Sequence, residues 1–169
     1  MPPHHNRELA QKQIEFARDY TVRLISDVDE ADWFTQPAEC PAHLAWEIGH
    51  LAMAEYMLVL FRLRGKQPED DEIVSRAFRK AFAKGSTPAS VHGQFPDAVE
   101  IRRVFDAVHL RAMRELSEYT DDQLQQTIVE PYAVTNTTLG SLLFCAQHEM
   151  LHAGQIGLIR RMLGHAPRP

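Results

Sequence analysis

The sequence predicts an all-α protein made of one domain. Long stretches carry apolar residues at helical intervals, and loops rich in Pro, Gly and Thr divide them. No run alternates between apolar and polar positions between two turns, as a half-buried strand would. The 169 residues, of which 44% are hydrophobic, suffice for one core but not for two. We therefore expect a single domain over residues 1–169, a four-helix bundle with a short extra helix between the second and third long helices.

The first two long helices are delimited by their end residues. The first is predicted from about Asn6, which suits the N-cap position, to Ser26. The second is predicted to begin near Pro41, whose fixed φ suits a first turn, and to continue to Arg64, with Gly65 as its stop. The residues expected on one face of the first helix are Leu9, Gln13, Phe16, Tyr20 and Leu24.

A short helix and a break in the pattern follow. The helix is predicted from about Asp71 to Ala83, because apolar side chains recur there every fourth residue. These side chains are Val74, Phe78 and Phe82. Glycines and prolines then interrupt the pattern over residues 84–96, which we interpret as an insertion between the main helices.

The last two long helices have clear apolar periods. The third is predicted from about Asp97 to Tyr119, and the fourth from about Thr138 to Leu163, with Gly164 as its stop. The apolar face of the third helix is predicted to hold Ile101, Phe105, Val108, Ala112, Leu116 and Tyr119.

Charge and cysteine content exclude several classes of protein. The net charge is -5, with 18 basic residues scattered among 23 acidic ones, which argues against a surface for nucleic acid or anionic membrane. No signal-peptide core is apparent at the N-terminus, and no apolar run approaches a membrane span, so we expect a cytoplasmic protein. Cys40 and Cys145 do not form a disulfide framework of the secreted type, and we expect both to be reduced.

Three histidines on two helices predict a metal site. His148 and His152 lie four residues apart, so on a helix of about 3.6 residues per turn both rings leave the same face and can share one ion. His50, in the second long helix, is expected to be the third ligand. Three neutral imidazoles in a low-dielectric interior each need a polar partner, and one cation satisfies all three.

Helical phase supports this convergence, since each residue advances about 100° around the axis. On the second helix the predicted inward residues are His43, Glu47, His50, Ala54, Leu58 and Phe61. On the fourth they are Ser141, Phe144, His148, His152, Gln155, Ile159 and Met162. Glu149 falls to the side of this face. His43 lies two turns from His50, too far to share the ion, and is expected to line a pocket mouth.

The HExxH motif of zinc proteases is also present but incomplete. His148 to His152 matches the motif, with Glu149 as the general base. The third ligand of one protease subclass would fall at Leu158, and no Glu follows Glu149. We therefore reject the protease hypothesis.

A di-iron carboxylate bundle is a less favoured alternative. The second and fourth helices each carry an ExxH pattern, ending at His50 and His152. Such a site also needs Glu residues from the other helices, and the first helix offers only Glu8 and Glu15, away from its apolar face. It would further need Glu149 to turn inward.

Three other residues are placed to take part in the site. Glu47 and Gln155, each one turn from a predicted ligand, are candidates to orient a bound ligand, although a plain buried polar contact fits each equally well. Cys145 lies three residues before His148 and could add a thiolate ligand; we favour a buried apolar role for it.

Three segments of the chain resemble the DinB-like superfamily of four-helix-bundle metalloenzymes. They are HLAWEIGHLAMAEYML at residues 43–58, Thr-Leu-Gly at residues 138–140, and HEMLHAGQIGLIRRMLG at residues 148–164. The resemblance implies a divalent metal held by His50, His148 and His152. It also implies a fold that covers essentially the whole chain. The family's name refers to damage inducibility and does not imply DNA binding.

The resemblance also implies a class of chemistry. Characterised relatives are transferases and isomerases that use a low-molecular-weight thiol such as mycothiol, bacillithiol or glutathione. A three-histidine site leaves a coordination position open, as in catalytic metal sites, and imidazole ligands suit Zn²⁺, Ni²⁺ or Fe²⁺. We expect a metal-dependent transferase or related hydrolase acting on a small molecule; a non-catalytic bundle that binds metal or a small ligand is the alternative.

The fourth helix further predicts a homodimer. Beyond its histidine-bearing face it carries a second apolar stripe, formed by Leu143, Ala146, Met150, Ala153 and Gly157. A helix that is apolar nearly all round must be covered on both sides, either by its own chain or by a second copy. Because DinB-like proteins often pair through their helices, we expect a two-fold symmetric dimer.

Overall fold

The protein is all-α in the part that we can describe. The computed structural model describes residues 5–86, 88, 96–128 and 132–168. Within these ranges it contains helices and turns but no strand, and an isolated bridge joins Thr127 to Thr137. The helices are α1 (His5–Ile25), α2 (Leu44–Glu55), α3 (Phe61–Arg64), α4 (Asp70–Ile73), α5 (Arg76–Ala81), α6 (Ala98–Leu116) and α7 (Thr138–Met162).

The four long helical segments lie close to their predicted bounds. A π-helical turn, Tyr56–Leu60, joins α2 to α3 and makes one helical rod of the second segment. The predicted short helix is two short helices, α4 and α5. Gly65 and Gly164 have φ of 72° and 93°, and they end α3 and α7 as predicted.

Two helix starts differ from prediction. The amides of Asn6 and Arg7 donate to the carboxylate of Asp121, which caps α1 from a distant loop. The second helix starts at Leu44 and not near Pro41, because the Nδ1 atom of His43 accepts the Trp46 amide and takes the N-cap position.

Side-chain contacts fix the directions of the long helices. Arg18 contacts Glu149 and Asp27 contacts Arg160, so α1 and α7 run parallel. Glu47 contacts His152, while the carbonyl of Leu58 accepts from Ser141 at the other end, so α2 and α7 run antiparallel. The contacts Glu55–His109 and Arg64–Glu115 make α2 and α6 parallel.

These directions explain the course of the described residues between α3 and α6. Since α2 and α6 are parallel, the chain must return along α2 between the end of α3 and the start of α6. Phe82 lies against Gly49, and Ser86 accepts a hydrogen bond from the Trp46 indole, so the chain runs back beside α2. The described part of the segment, residues 65–86, is a crossover connection that forms one wall of the site. The predicted insertion over residues 84–96 lies mostly outside the described residues.

The buried face of α1 is rotated from the predicted one. Leu9 and Phe16 are 46% and 60% exposed. The buried residues are Ala10, Ile14, Ala17, Arg18, Thr21, Leu24 and Ile25. The small side chains on this face allow α1 to pack closely along α7. Arg18 is buried because it pairs with two carboxylates.

The buried face of α7 is centred on Glu149, which we predicted to lie to the side. Glu149 is 2% exposed, whereas Gln155 and Met162, both predicted inward, are exposed. His148 and His152 therefore lie at the edge of the core, where α7 meets α2, and not at its centre. Glu149 is buried because Arg18 pairs with it there, and helical phase does not reveal that pairing.

The helix Leu44–Arg64 is long and apolar enough to cross a membrane by length and composition, contrary to our expectation that no segment would be. In its most apolar window 78% of the residues are buried inside the protein. That burial is what we expect of a core helix.

Candidate metal centre

Three histidine rings converge between α2 and α7. A ligand nitrogen from each of His50, His148 and His152 lies within 4.8 Å of the other two. The ring centroids are separated by 4.5 to 5.3 Å. The predicted grouping of these three residues is therefore what the structure contains.

The crossover connection orients His50. Its Nδ1 atom lies 2.8 Å from the carbonyl oxygen of Phe82, so Nδ1 carries the proton and donates it. A Cβ atom on Gly49 would lie 2.4 Å from the Phe82 ring, so only glycine lets the crossover approach this closely. The Nε2 atom of His50 is thereby left with its lone pair, as a metal requires.

A carboxylate orients His152 in the same way. The Nδ1 atom of His152 donates to Oε2 of Glu47 over 2.6 Å, and both side chains are buried. Trp46 stacks on the ring of His50 with 4.8 Å between centroids, which limits the rotation of that ring. Glu47, a candidate for orienting a ligand, thus contacts a predicted ligand directly.

The lowered pKa values of His148 and His50 suit a bound cation. Burial and the nearby rings of His152 and His50 lower the pKa of His148 to about 3. Burial also lowers the pKa of His50, despite its bond to Phe82. Both rings are therefore neutral near pH 7 and able to donate a lone pair. With the Nδ1 atoms of His50 and His152 already bonded, a divalent metal would bind these two rings through Nε2.

Glu149 serves a different cluster. Its carboxylate accepts from the guanidinium of Arg18 at 2.8 Å, and Arg18 also donates to Glu55 and to the Phe105 carbonyl. Glu55 in turn contacts His109 at 2.8 Å. Because Glu149 is held by Arg18, it is not free for the role that a zinc protease or a di-iron site would require.

Sequence analysis missed this buried cluster. Arg18, Glu55 and Glu149 are 3%, 1% and 2% exposed, and they come from three helices. Such residues are normally on the surface, and only their mutual pairing makes their burial tolerable. No regular spacing in the sequence links these three residues. The sequence did contain one indication of the cluster, which is that two acidic residues and one basic residue lie within otherwise apolar helix faces.

The remaining predicted residues lie outside the centre. Cys145 is buried at 3% exposure and is not part of the histidine group, and burial raises the pKa of its thiol. Gln155 is exposed, and it does not line the cavity beside the histidines that is described below. His43 caps α2 and is 1% exposed, so it does not line a pocket mouth.

An elongated cavity opens beside the histidines. Its volume is about 640 Å³, which is within the range of small-molecule sites. We call it the α2–α7 groove; its lining includes Trp46, Met53, Met57, Phe61, Phe144 and the three histidines. A ligand in the groove would contact the three histidine side chains.

The chain matches one family of known proteins. A family model described as the DinB superfamily matches residues 13–156, a range that includes all three histidines. No curated protein matches the chain.

Proposed function

We propose that this chain, which belongs to the DinB superfamily, is a metal-dependent enzyme with a four-helix-bundle fold. The observation that carries the proposal is the convergence of His50, His148 and His152 within 4.8 Å beside an open cavity. These three residues would hold one divalent ion, Zn²⁺, Ni²⁺ or Fe²⁺. Such an ion supplies Lewis acidity, which lowers the pKa of a water or thiol bound beside it.

The chain's own residues prepare the site. The Phe82 carbonyl and the Glu47 carboxylate hold the protons of two imidazoles on Nδ1, and Trp46 restricts one ring by stacking. The groove borders the histidines with a mainly apolar wall. We propose transfer or isomerisation with a low-molecular-weight thiol, or a related hydrolysis, in the cytoplasm, with no nucleic-acid or membrane partner.

Metal analysis tests the centre directly. Purified protein should carry about one divalent ion per chain, and His50→Ala and His148→Ala should lose it. His165→Ala, the same change in a residue outside the group, should retain it. Near-stoichiometric metal in the first two variants would refute the assignment, and two irons per chain would favour the di-iron alternative.

Catalysis requires a separate test, because a non-catalytic bundle that binds metal or a small ligand is the second candidate. A panel of electrophiles is offered with mycothiol, bacillithiol and glutathione, and metal-dependent turnover is scored. Turnover that His148→Ala abolishes supports an enzyme. Tight ligand binding without turnover for any pair would favour the binding protein.

We also propose a homodimer. In the predicted stripe of α7, Ala146 and Ala153 are buried within the chain itself, but Met150 is 40% exposed, and Phe16 of α1 is 60% exposed. Exposed apolar residues on two neighbouring parallel helices support a second copy as their cover. A mass in light scattering near the 19.3 kDa of one chain, unchanged as concentration rises, would refute it.

A further inference from the structure

The α2–α7 groove has a shape and a wall chemistry that restrict what it can bind. Its lining follows α2 and α3 from Trp46 to Phe61, roughly 20 Å at 1.5 Å per residue. The wall is mainly apolar, and three of its large side chains, Met57, Phe61 and Tyr132, are 37%, 40% and 46% exposed. Exposed apolar groups gathered in one concave surface indicate a binding site and not random surface composition.

The charge of the groove has one sign. Arg62 and Lys84 line it, and no Asp or Glu is among the described lining residues. The Lys84 ammonium donates to the Tyr132 hydroxyl and lies 4.8 Å from the centre of that ring. Among the described residues we find no carboxylate paired with Lys84. An anionic group on a ligand would supply the missing opposite charge.

We propose that the groove binds an elongated, mainly apolar molecule that carries an anionic group, with the apolar body along Met53, Met57 and Phe61 and the anion at Lys84. This assignment rests on the proposed function, since it names the substrate class of the same site. It differs from the thiol cosubstrate, whose polar surface the apolar wall does not match. The substrate's reacting part would lie at the end of the groove next to His50.

Ligand binding to the metal-free protein at pH 8 tests the proposal without the metal. The probes are decanoate, decan-1-ol and decyltrimethylammonium, below their micelle concentrations, with hexanoate and octanoate as shorter anions. Affinity is measured by calorimetry and by the emission of Trp46, which lines the groove. We expect decanoate to bind tightest of the three ten-carbon probes, and each two-methylene extension of the anion to lower its Kd roughly tenfold.

Lys84→Gln provides the specific variant, and Lys80→Gln, the same change at an exposed residue outside the lining, is its control. Lys84→Gln should raise the Kd of decanoate roughly fivefold and leave that of decan-1-ol unchanged, while the control changes neither. Equal binding of all three ten-carbon probes, or no effect of chain length, would overturn the proposal.

Two further outcomes separate this proposal from others. If decanoate converts a dimer into monomers in light scattering, a second copy covers the groove and the small-molecule assignment is wrong. If the protein carries no metal but decanoate binds as expected, the proposed metal centre fails while the groove assignment stands. The reverse result, metal without alkyl-anion binding, refutes only the groove assignment.

Discussion

Removing the charge of Glu47 should weaken metal binding without unfolding the protein. The Glu47 carboxylate accepts the Nδ1 proton of His152 at 2.6 Å in a buried setting, and this bond selects the tautomer that leaves Nε2 free. In Glu47→Gln the side chain keeps its shape, but its amide accepts more weakly and can turn its NH₂ group toward the ring. We therefore expect the metal-bound form to lose more free energy than the metal-free form.

The size of the effect follows from the geometry. A hydrogen bond to a charged partner contributes about 1.5–3 kcal/mol, and only the part that depends on metal binding appears in the affinity. Loss of a partner that orients a metal-bound histidine typically costs roughly 10- to 100-fold in metal affinity. We expect roughly tenfold for Glu47→Gln and more for Glu47→Ala, which removes the acceptor altogether.

Competition with a chromogenic chelator measures the metal Kd, and urea unfolding of the metal-free protein measures stability. Glu100→Gln, which removes a surface carboxylate paired with Arg103, is the matched control and should leave the metal Kd unchanged. If Glu47→Gln binds metal as tightly as the parent protein, the carboxylate does not position His152, and our reasoning about the centre is wrong.

Three further predictions concern the packing around the centre. Gly49→Ala should lower the free energy of unfolding by about 1–3 kcal/mol and weaken metal binding, because the new methyl would lie 2.4 Å from the Phe82 ring of the crossover. The control is Gly154→Ala, whose new methyl would have no described neighbour within 4 Å. In urea titrations Gly154→Ala should be neutral or stabilising, and it should leave metal binding unchanged. Arg18→Met should lower the free energy of unfolding by about 3–5 kcal/mol at pH 7, since it leaves two buried carboxylates without a cation. An unchanged unfolding midpoint would contradict the existence of the buried cluster. Burial alone would raise the pKa of Glu55, but Arg18 and His109 hold that pKa below its usual 4.5. The stabilisation that the ionised Glu55 contributes is therefore present above pH 4.5 and is lost as the pH falls through the pKa of the folded state. In Arg18→Met the buried Glu55 lacks this cation, and its protonation at lower pH relieves the cost of burying it. The stability difference between parent and Arg18→Met should therefore shrink as urea titrations move from pH 7 toward pH 4, and a constant difference would refute this account.

The family and the three histidines follow from local sequence. A four-residue spacing on a helix puts His148 and His152 on one face, whatever the rest of the chain does. The helical period of the apolar residues predicted the bounds of every long helix to within a few residues. The stops at Gly65 and Gly164 were equally local, because a left-handed residue at a helix end is a property of glycine itself. The motif around His50 also contained the glycine that the crossover requires.

Only the tertiary structure decided which faces are buried and what supports the site. Arg18 and Glu149 are inside because they meet each other from helices that are distant in the chain, and burial of a charge depends on its partner and not on its own type. That pairing sets the rotation of α7 and leaves His148 and His152 at the edge of the core, facing α2. The hydrogen bond from His50 to the Phe82 carbonyl exists because α2 and α6 are parallel, which forces the chain to return past the histidines. Helix directions depend on long-range packing, and no local period encodes them.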